Sequence, residues 1–367
     1  MGRWLAAGVE DMPPFPPFGH FQEGQRGEVE AALERERSGL GLTMINRFDS
    51  DLGWSNFSGE QPKEQISINS IGARSLREYT AETEPGTTRI ICYGSSFVFG
   101  SEVTTQEAWP SQIEAMATDF EAVNMGVGSY GTDQASLLFR RHGLLGASIA
   151  VIGFNVENVA RNVNRYRAVY VPGDLNIYSK PRFLLDERDE LQLLALPYST
   201  RTEALEAVLE DSIVERLRPY EYWTEEAPLR WSTASKIRSA IRAHRRRSRR
   251  FKLLLEPEKE PYRVTLAILQ AFDSEAQAAG AEQTLVVLFG MRSDLAWQKS
   301  HGFKFWQGMI EDLRRTGIQT LDASDVIIGM GKPAPFLNTH YNANANGAVA
   351  RAVLDQLRSS SESSISR

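Results

Sequence analysis

The chain is predicted to be an α/β protein built on a parallel sheet covered by helices on both faces, and three observations lead there. From residue 89 onward, apolar runs of strand length alternate with stretches of helix length. Those runs are rich in Val, Ile and Leu, as strands buried on both faces are. Several of them stop at glycine, serine or asparagine, so each delivers polar side chains to a turn.

In order, residues 89–93 form the first strand and 108–117 a helix. Residues 122–125 are the second strand, and 133–142 a helix that Thr132 or Asp133 caps. Residues 149–154 are the third strand, 284–289 the fourth and 318–321 the fifth, with helices over 305–315 and 345–357. Right-handed crossovers place the C-terminal ends of such strands along one edge, where sites form. Ser96, Asn155 and the loop holding His340 all fall at that edge.

The rest frames this core. Residues 1–44 read as an N-terminal arm, with Pro13, Pro14, Pro16 and Pro17 among aromatics and a charged helix-like run over 28–37. Residues 45–358 form one domain, in which 66–68 suggests a short strand or hairpin and about 160–280 is an insertion. In that insertion, 180–185 and 191–196 look like paired short strands and 202–216 like an amphipathic helix. The basic run Arg245-Arg246-Arg247-Ser248-Arg249-Arg250 is read first as a solvated helix face, with an anionic partner as the alternative. The Ser-rich residues 359–367 read as a disordered tail.

Composition narrows the function classes. A chain of 367 residues that is 42% hydrophobic is long enough for one large domain, and a formal net charge of -6 argues against nucleic-acid binding. The single cysteine, Cys92, lies in an apolar strand and excludes an internal disulfide. His20, His142, His244 and His301 have no metal-ligand spacing, so a zinc site is not expected. No apolar run is long enough to span a bilayer. Residues 1–11 lack the apolar stretch of a signal peptide; taken as the native start, they predict a cytoplasmic protein.

The chemistry lies in three separated places. A serine hydroxyl becomes nucleophilic when a base takes its proton, and the oxyanion that follows needs fixed N–H donors. The spacing Gly94-x-Ser96-x-x-x-Gly100 puts Ser96 on the turn after the first strand, where its own N–H can face an oxyanion. Gly153-Phe154-Asn155 closes the third strand, and Asn338-Thr339-His340 precedes the last helix. These supply a nucleophile, a donor and a base. Asp133 reads as a helix cap, and Trp54, Trp109 and Trp306 as core or pocket wall.

With these residues in view the sequence resembles the SGNH (GDSL-type) hydrolase superfamily over about residues 45–355. Block I is similar to Gly94-Ser95-Ser96-Phe97-Val98-Phe99-Gly100, followed by Trp109-Pro110. Block II is similar to Asn124-Met125-Gly126-Val127-Gly128-Ser129-Tyr130-Gly131-Thr132-Asp133-Gln134, block III to Gly153-Phe154-Asn155-Val156, and the last block to Asn338-Thr339-His340-Tyr341-Asn342 with Gly347. One branch also carries elements resembled by Asp49-Ser50-Asp51-Leu52-Gly53-Trp54, Asn69-Ser70-Ile71-Gly72-Ala73-Arg74 and Lys180-Pro181-Arg182-Phe183.

The resemblance implies a three-layer α/β/α sandwich with a flavodoxin-like five-stranded parallel sheet. It implies Ser96 as nucleophile, His340 as base, Asn155 as side-chain oxyanion donor, and backbone N–H donors from Ser96 and from Ser129 or Gly128. The substrate would be a small-molecule or carbohydrate ester, or an acyl donor, with no cofactor. Four positions depart from the family: Ser95 and Val156 stand where it has aspartates, Ser129 where it has glycine, and Asn338 where it has the aspartate that orients the histidine. The Asn338 side-chain carbonyl could accept the Nδ1 proton, as could a backbone carbonyl, or Glu157 could orient the ring. Three functions therefore stay open: an ester or thioester hydrolase, an O-acyltransferase to a sugar or small-molecule hydroxyl, and a catalytically silent binding module. On this reading, Asn338→Asp should raise esterase activity.

Overall fold

The computed structural model describes residues 23–38, 45–166, 179–210, 220–222, 255–331 and 335–365. Helix α1 (Glu23–Arg37) leads into two antiparallel ribbons, β1 (Asn46–Asp49) with β2 (Gly53–Asn56) and β3 (Gly59–Gln61) with β4 (Ile66–Ile68). Then come β5 (Thr88–Gly94), α2 (Ser96–Phe99), α3 (Trp109–Met116), β6 (Phe120–Gly126), α4 (Thr132–His142), β7 (Ile149–Asn155) and α5 (Asn158–Arg161). The insertion holds the ribbon β8 (Arg182–Leu185) with β9 (Leu191–Leu194), and α6 (Arg201–Leu209). The chain closes with α7 (Glu260–Ala278), β10 (Gln283–Phe289), α8 (Arg292–His301), α9 (Gln307–Arg315), β11 (Thr320–Asp322), α10 (Ala323–Gly329) and α11 (Ala343–Ile365).

The central sheet is parallel throughout, in the order β11-β10-β7-β5-β6. Numbered among themselves, these strands run 2-1-3-4-5, the doubly wound order of flavodoxin-like sheets. Side chains alternate across each strand and create two apolar layers. Ile91, Tyr93, Ile152 and Leu288 face α4, α7 and α9 through Leu138, Phe139, Phe272 and Ile310. Ile90, Cys92, Val151 and Val287 face α3, α10 and α11 through Trp109, Ile113, Ile327, Val349 and Val353. Each such aliphatic, fully buried, stabilises the fold by about 1.5–3 kcal/mol. The predicted three-layer α/β/α sandwich is therefore the observed one.

Several boundaries differ from the sequence reading. The insertion ends before residue 260, because α7 is the crossover helix that carries the chain from β7 back to β10. Its apolar face (Tyr262, Leu269, Phe272) packs on the sheet, whereas the charged residues just before it blur its start. Helices α8 and α10 were not anticipated. The Ser-rich stretch expected to be disordered continues α11 as far as Ile365. Ser359 and Ser360 turn their hydroxyls back onto the Gln356 carbonyl, both at 2.9 Å, a bond serine makes inside a helix. Within the expected N-terminal arm, α1 seats Val29, Ala32 and Leu33 against Leu205 and Val208 of α6. The basic run Arg245–Arg250 lies outside the described residues, as do residues 1–22 and 39–44. Among the described residues, no helix is long and apolar enough to cross a membrane.

Candidate active site

Strand register brings the predicted residues to one level. Gly94 of β5 pairs with Gly126 of β6, and Tyr93 of β5 pairs with Ile152 of β7. Three residues past the second pair stand Ser96 and Asn155. Ser95 and Ser96 open the short helix α2, which ends at Gly100 in the left-handed region (φ 80°), a conformation glycine adopts without penalty. The helix lies tight on the end of β6: a Cβ added to Gly126 would stand 2.2 Å from the Phe99 backbone nitrogen. Trp109 braces the same helix, its indole N–H donating to the Phe97 carbonyl at 3.2 Å.

His340 Nε2 lies 2.8 Å from Ser96 Oγ, within range for proton transfer. On the far side of the ring, Nδ1 lies 3.0 Å from Glu102 Oε1 and 3.0 Å from Thr339 Oγ1. The Glu102 carboxylate also accepts from the backbone N–H groups of Asn338 (2.8 Å) and Thr339 (3.2 Å) and from the Thr339 hydroxyl (2.7 Å). One carboxylate therefore holds the imidazole and the loop that carries it.

Glu102 reaches this position by a backbone turn into positive φ, 72°, uncommon for a non-glycine residue. The turn is pinned by Arg74, which is buried and donates to the carbonyls of Phe99 (2.7 Å), Gly100 (2.6 Å) and Val103 (2.5 Å). Burial pushes the Arg74 guanidinium down to about 10, against the nearby Glu107 carboxylate that favours its charge. The Asn69–Arg74 motif thus works as a brace for the segment bearing Glu102.

Asn155, almost fully buried, donates its side-chain N–H to Ser95 Oγ at 3.0 Å. An amide nitrogen carries two hydrogens, so the second is left for another acceptor. The loop after β6 supplies backbone donors. Ser129 sits there at φ 66°, in the left-handed region that favours glycine. Neither the Gly128 nor the Ser129 N–H has an acceptor among the described residues. Val156, in place of the block III aspartate, is buried in the core.

The electrostatics suit a base. Burial, with the Phe97 ring against the imidazole, pulls the His340 pKa below its ordinary value, and this outweighs the Glu102 carboxylate, which raises it. Arg161 lowers it further, and Glu157 opposes Arg161. For Glu102, partial burial alone would raise the pKa. The hydrogen bonds from Thr339, His340 and the loop N–H groups reverse this and hold it at about 2.

Ser96 and His340 thus lie in hydrogen-bond contact, and Asn155 reaches Ser95, the neighbour of Ser96. Asn338 differs: it is exposed, its backbone N–H serves Glu102, and its carbonyl accepts from Arg292 at 3.1 Å. The acceptors at Nδ1 are Glu102 and Thr339, in place of the Asn338 side chain. Glu157 pairs with Arg161 at 3.4 Å. Sequence reasoning missed Glu102: it weighed Asn338, a backbone carbonyl and Glu157, whereas Glu102 belongs to no motif and is brought in only by the turn after α2. Asp133, read as a cap, is buried in an ion pair with Lys180 of the Lys-Pro-Arg-Phe motif, and Gly131 takes the cap position of α4.

No family profile and no curated protein matches the sequence. Among solved structures, the chain is similar to a member of the lipolytic G-D-S-L family from Veillonella parvula. That match has 10% identity and a TM-score of 0.36, covering 73% of this chain and 97% of the other. It is also similar to a structure described as a lipolytic protein of the G-D-S-L family from Desulfitobacterium hafniense, at 11% identity and a TM-score of 0.36, covering 72% and 99%. A gut microbial diltiazem-metabolizing enzyme is similar at 10% identity and a TM-score of 0.32, covering 76% of this chain and 49% of that one. The architectural assignment rests on the strand order and register described above, which are those of a doubly wound α/β/α sandwich.

Proposed function

We propose that this chain is a serine ester hydrolase of the SGNH type, acting through an acyl-Ser96 intermediate on a small-molecule or carbohydrate ester. The observation that carries the reading is the continuous relay from Ser96 Oγ to His340 Nε2 at 2.8 Å and from His340 Nδ1 to Glu102 at 3.0 Å.

In the first half-reaction Ser96 Oγ attacks the ester carbonyl carbon while its proton passes to His340 Nε2. The negative oxygen of the tetrahedral adduct is met by the N–H groups of Ser96 and Ser129 and by the Asn155 side-chain amide. Glu102 stabilises the imidazolium that forms. Collapse breaks the C–O bond to the alcohol, which leaves with the proton from His340. Water then attacks acyl-Ser96, giving its proton to His340, and the carboxylic acid departs as Ser96 regains its hydrogen.

The silent-module alternative rests on the missing acids, of which the one at position 338 bears on the histidine. Glu102 supplies an orienting carboxylate from elsewhere, which favours an active site. Transfer to a sugar or other hydroxyl uses the same acyl-serine and differs in the acceptor alone. Incubation with p-nitrophenyl acetate tests the proposal: a burst of p-nitrophenol followed by turnover is expected, and both should vanish in Ser96→Ala. Retained turnover in Ser96→Ala would exclude the acyl-serine route. Turnover that stays slow until a polyol is added would favour transfer.

A further inference from the structure

The leading Asp49–Trp54 motif takes no part in the proton relay, yet it reaches the loop after β6. Trp54, on β2, is 3% exposed. Its indole N–H donates to the Gly128 carbonyl at 3.0 Å, and its own carbonyl accepts from the Tyr130 hydroxyl at 2.6 Å. The two rings meet edge to face with centroids 5.7 Å apart. Next along β2, Asn56 donates to the Gly126 carbonyl at 3.0 Å. From the core side, Arg161 donates to the Tyr130 carbonyl at 2.9 Å, and the Val127 N–H donates to the Gly94 carbonyl at 3.0 Å. The carbonyls of residues 126, 128 and 130 are thus each held.

One of these bonds has a consequence at the reacting centre. The Gly128 carbonyl and the Ser129 N–H belong to a single planar trans peptide, so they point in opposite directions. Holding the carbonyl against the β1–β2 ribbon turns the N–H away from that ribbon. A peptide beside a residue at φ 66° is one that local preference would not keep in place, so an outside tether is required.

We infer that Trp54 is a positioning residue for the oxyanion site: its indole N–H, by holding the Gly128 carbonyl, aims the Ser129 N–H. The inference rests on the acyl-Ser96 reading above. It assigns to the leading motif a role in transition-state binding, distinct from packing.

The test is Trp54→Phe, which keeps an aromatic ring against Tyr130 and removes the donor. With p-nitrophenyl acetate, kcat should fall about 10- to 100-fold with KM nearly unchanged, since a misaimed oxyanion donor weakens the transition state alone. Affinity for an aryl boronic acid, which forms a tetrahedral anionic adduct on Ser96, should fall in the same proportion. The acidic limb of the pH profile, set by His340, should stay where it is. A purely structural role would not make boronate affinity and kcat fall together at constant KM. Should Trp54→Phe fail to fold, Tyr130→Phe removes only the hydroxyl that holds the Trp54 carbonyl. It should show the same paired loss, smaller in size. Full kcat and boronate affinity in the folded variant, beside an inactive Ser96→Ala, would overturn this inference alone. Activity persisting in Ser96→Ala would overturn the acyl-serine reading and this inference with it.

Discussion

Glu102 and His340, 238 residues apart in the chain, meet at 3.0 Å between Oε1 and Nδ1. The acid that orients the base therefore comes from the nucleophile's side of the sheet and not from the loop of the histidine. It sits six positions after Ser96, at the end of a segment that Arg74 pins by three carbonyls. Nucleophile and acid are thus set by one rigid segment, and the imidazole closes between them.

Glu102→Gln should lower kcat/KM about 100- to 1,000-fold, because an amide cannot stabilise the imidazolium. The sign of the pH effect follows from the charges. Burial lowers the His340 pKa and the Glu102 carboxylate raises it, so removing that charge moves the pKa lower still. The base is then free at more acidic pH, and the acidic limb of kcat/KM shifts down. A pH–rate profile checks this; an unmoved limb with full activity would reduce Glu102 to a loop tether.

Asn155→Ala should reduce kcat about 100- to 1,000-fold with little change in KM, as expected for loss of one oxyanion donor. Steady-state kinetics at saturating ester decide it. An equal loss carried by KM would place Asn155 in substrate binding instead.

Asn338→Asp, which the sequence alone marked as an activating change, should leave activity level or lower it. Residue 338 is exposed, and its backbone N–H donates to the Glu102 carboxylate at 2.8 Å. A second carboxylate beside the first adds like-charge repulsion where the loop docks. A clear rise in kcat would mean that residue 338 can take over Nδ1.

Lys180→Met should destabilise the fold by about 3–5 kcal/mol in urea unfolding, because it leaves the Asp133 carboxylate buried without its partner. Adding Asp133→Asn to that variant should recover part of the loss. The Lys-Pro-Arg-Phe motif is accordingly an anchor between the insertion and α4.

The core strands, the sheet edge and the trio Ser96, Asn155 and His340 were legible because each is marked locally. A strand ends, and a turn or helix start follows that fixes which side chain faces the edge. Glu102 carries no such mark: its place depends on a positive φ and on contacts from Arg74, both products of the folded chain. Helix α7 was hidden differently, since its amphipathic face begins within a charged stretch that reads as more of the insertion. Trp54 was read as core or pocket wall. It is buried, but its donor to the Gly128 carbonyl could not be seen from sequence, because that bond joins elements 74 residues apart.

The most direct measurement is the site of acylation. After rapid quench of the enzyme with p-nitrophenyl acetate, peptide mass spectrometry should find one acetyl group per chain, on Ser96. The adduct should be absent in Ser96→Ala and strongly reduced in His340→Ala. Acetylation at another residue, or steady turnover with Ser96 unmodified and dispensable, would contradict the account.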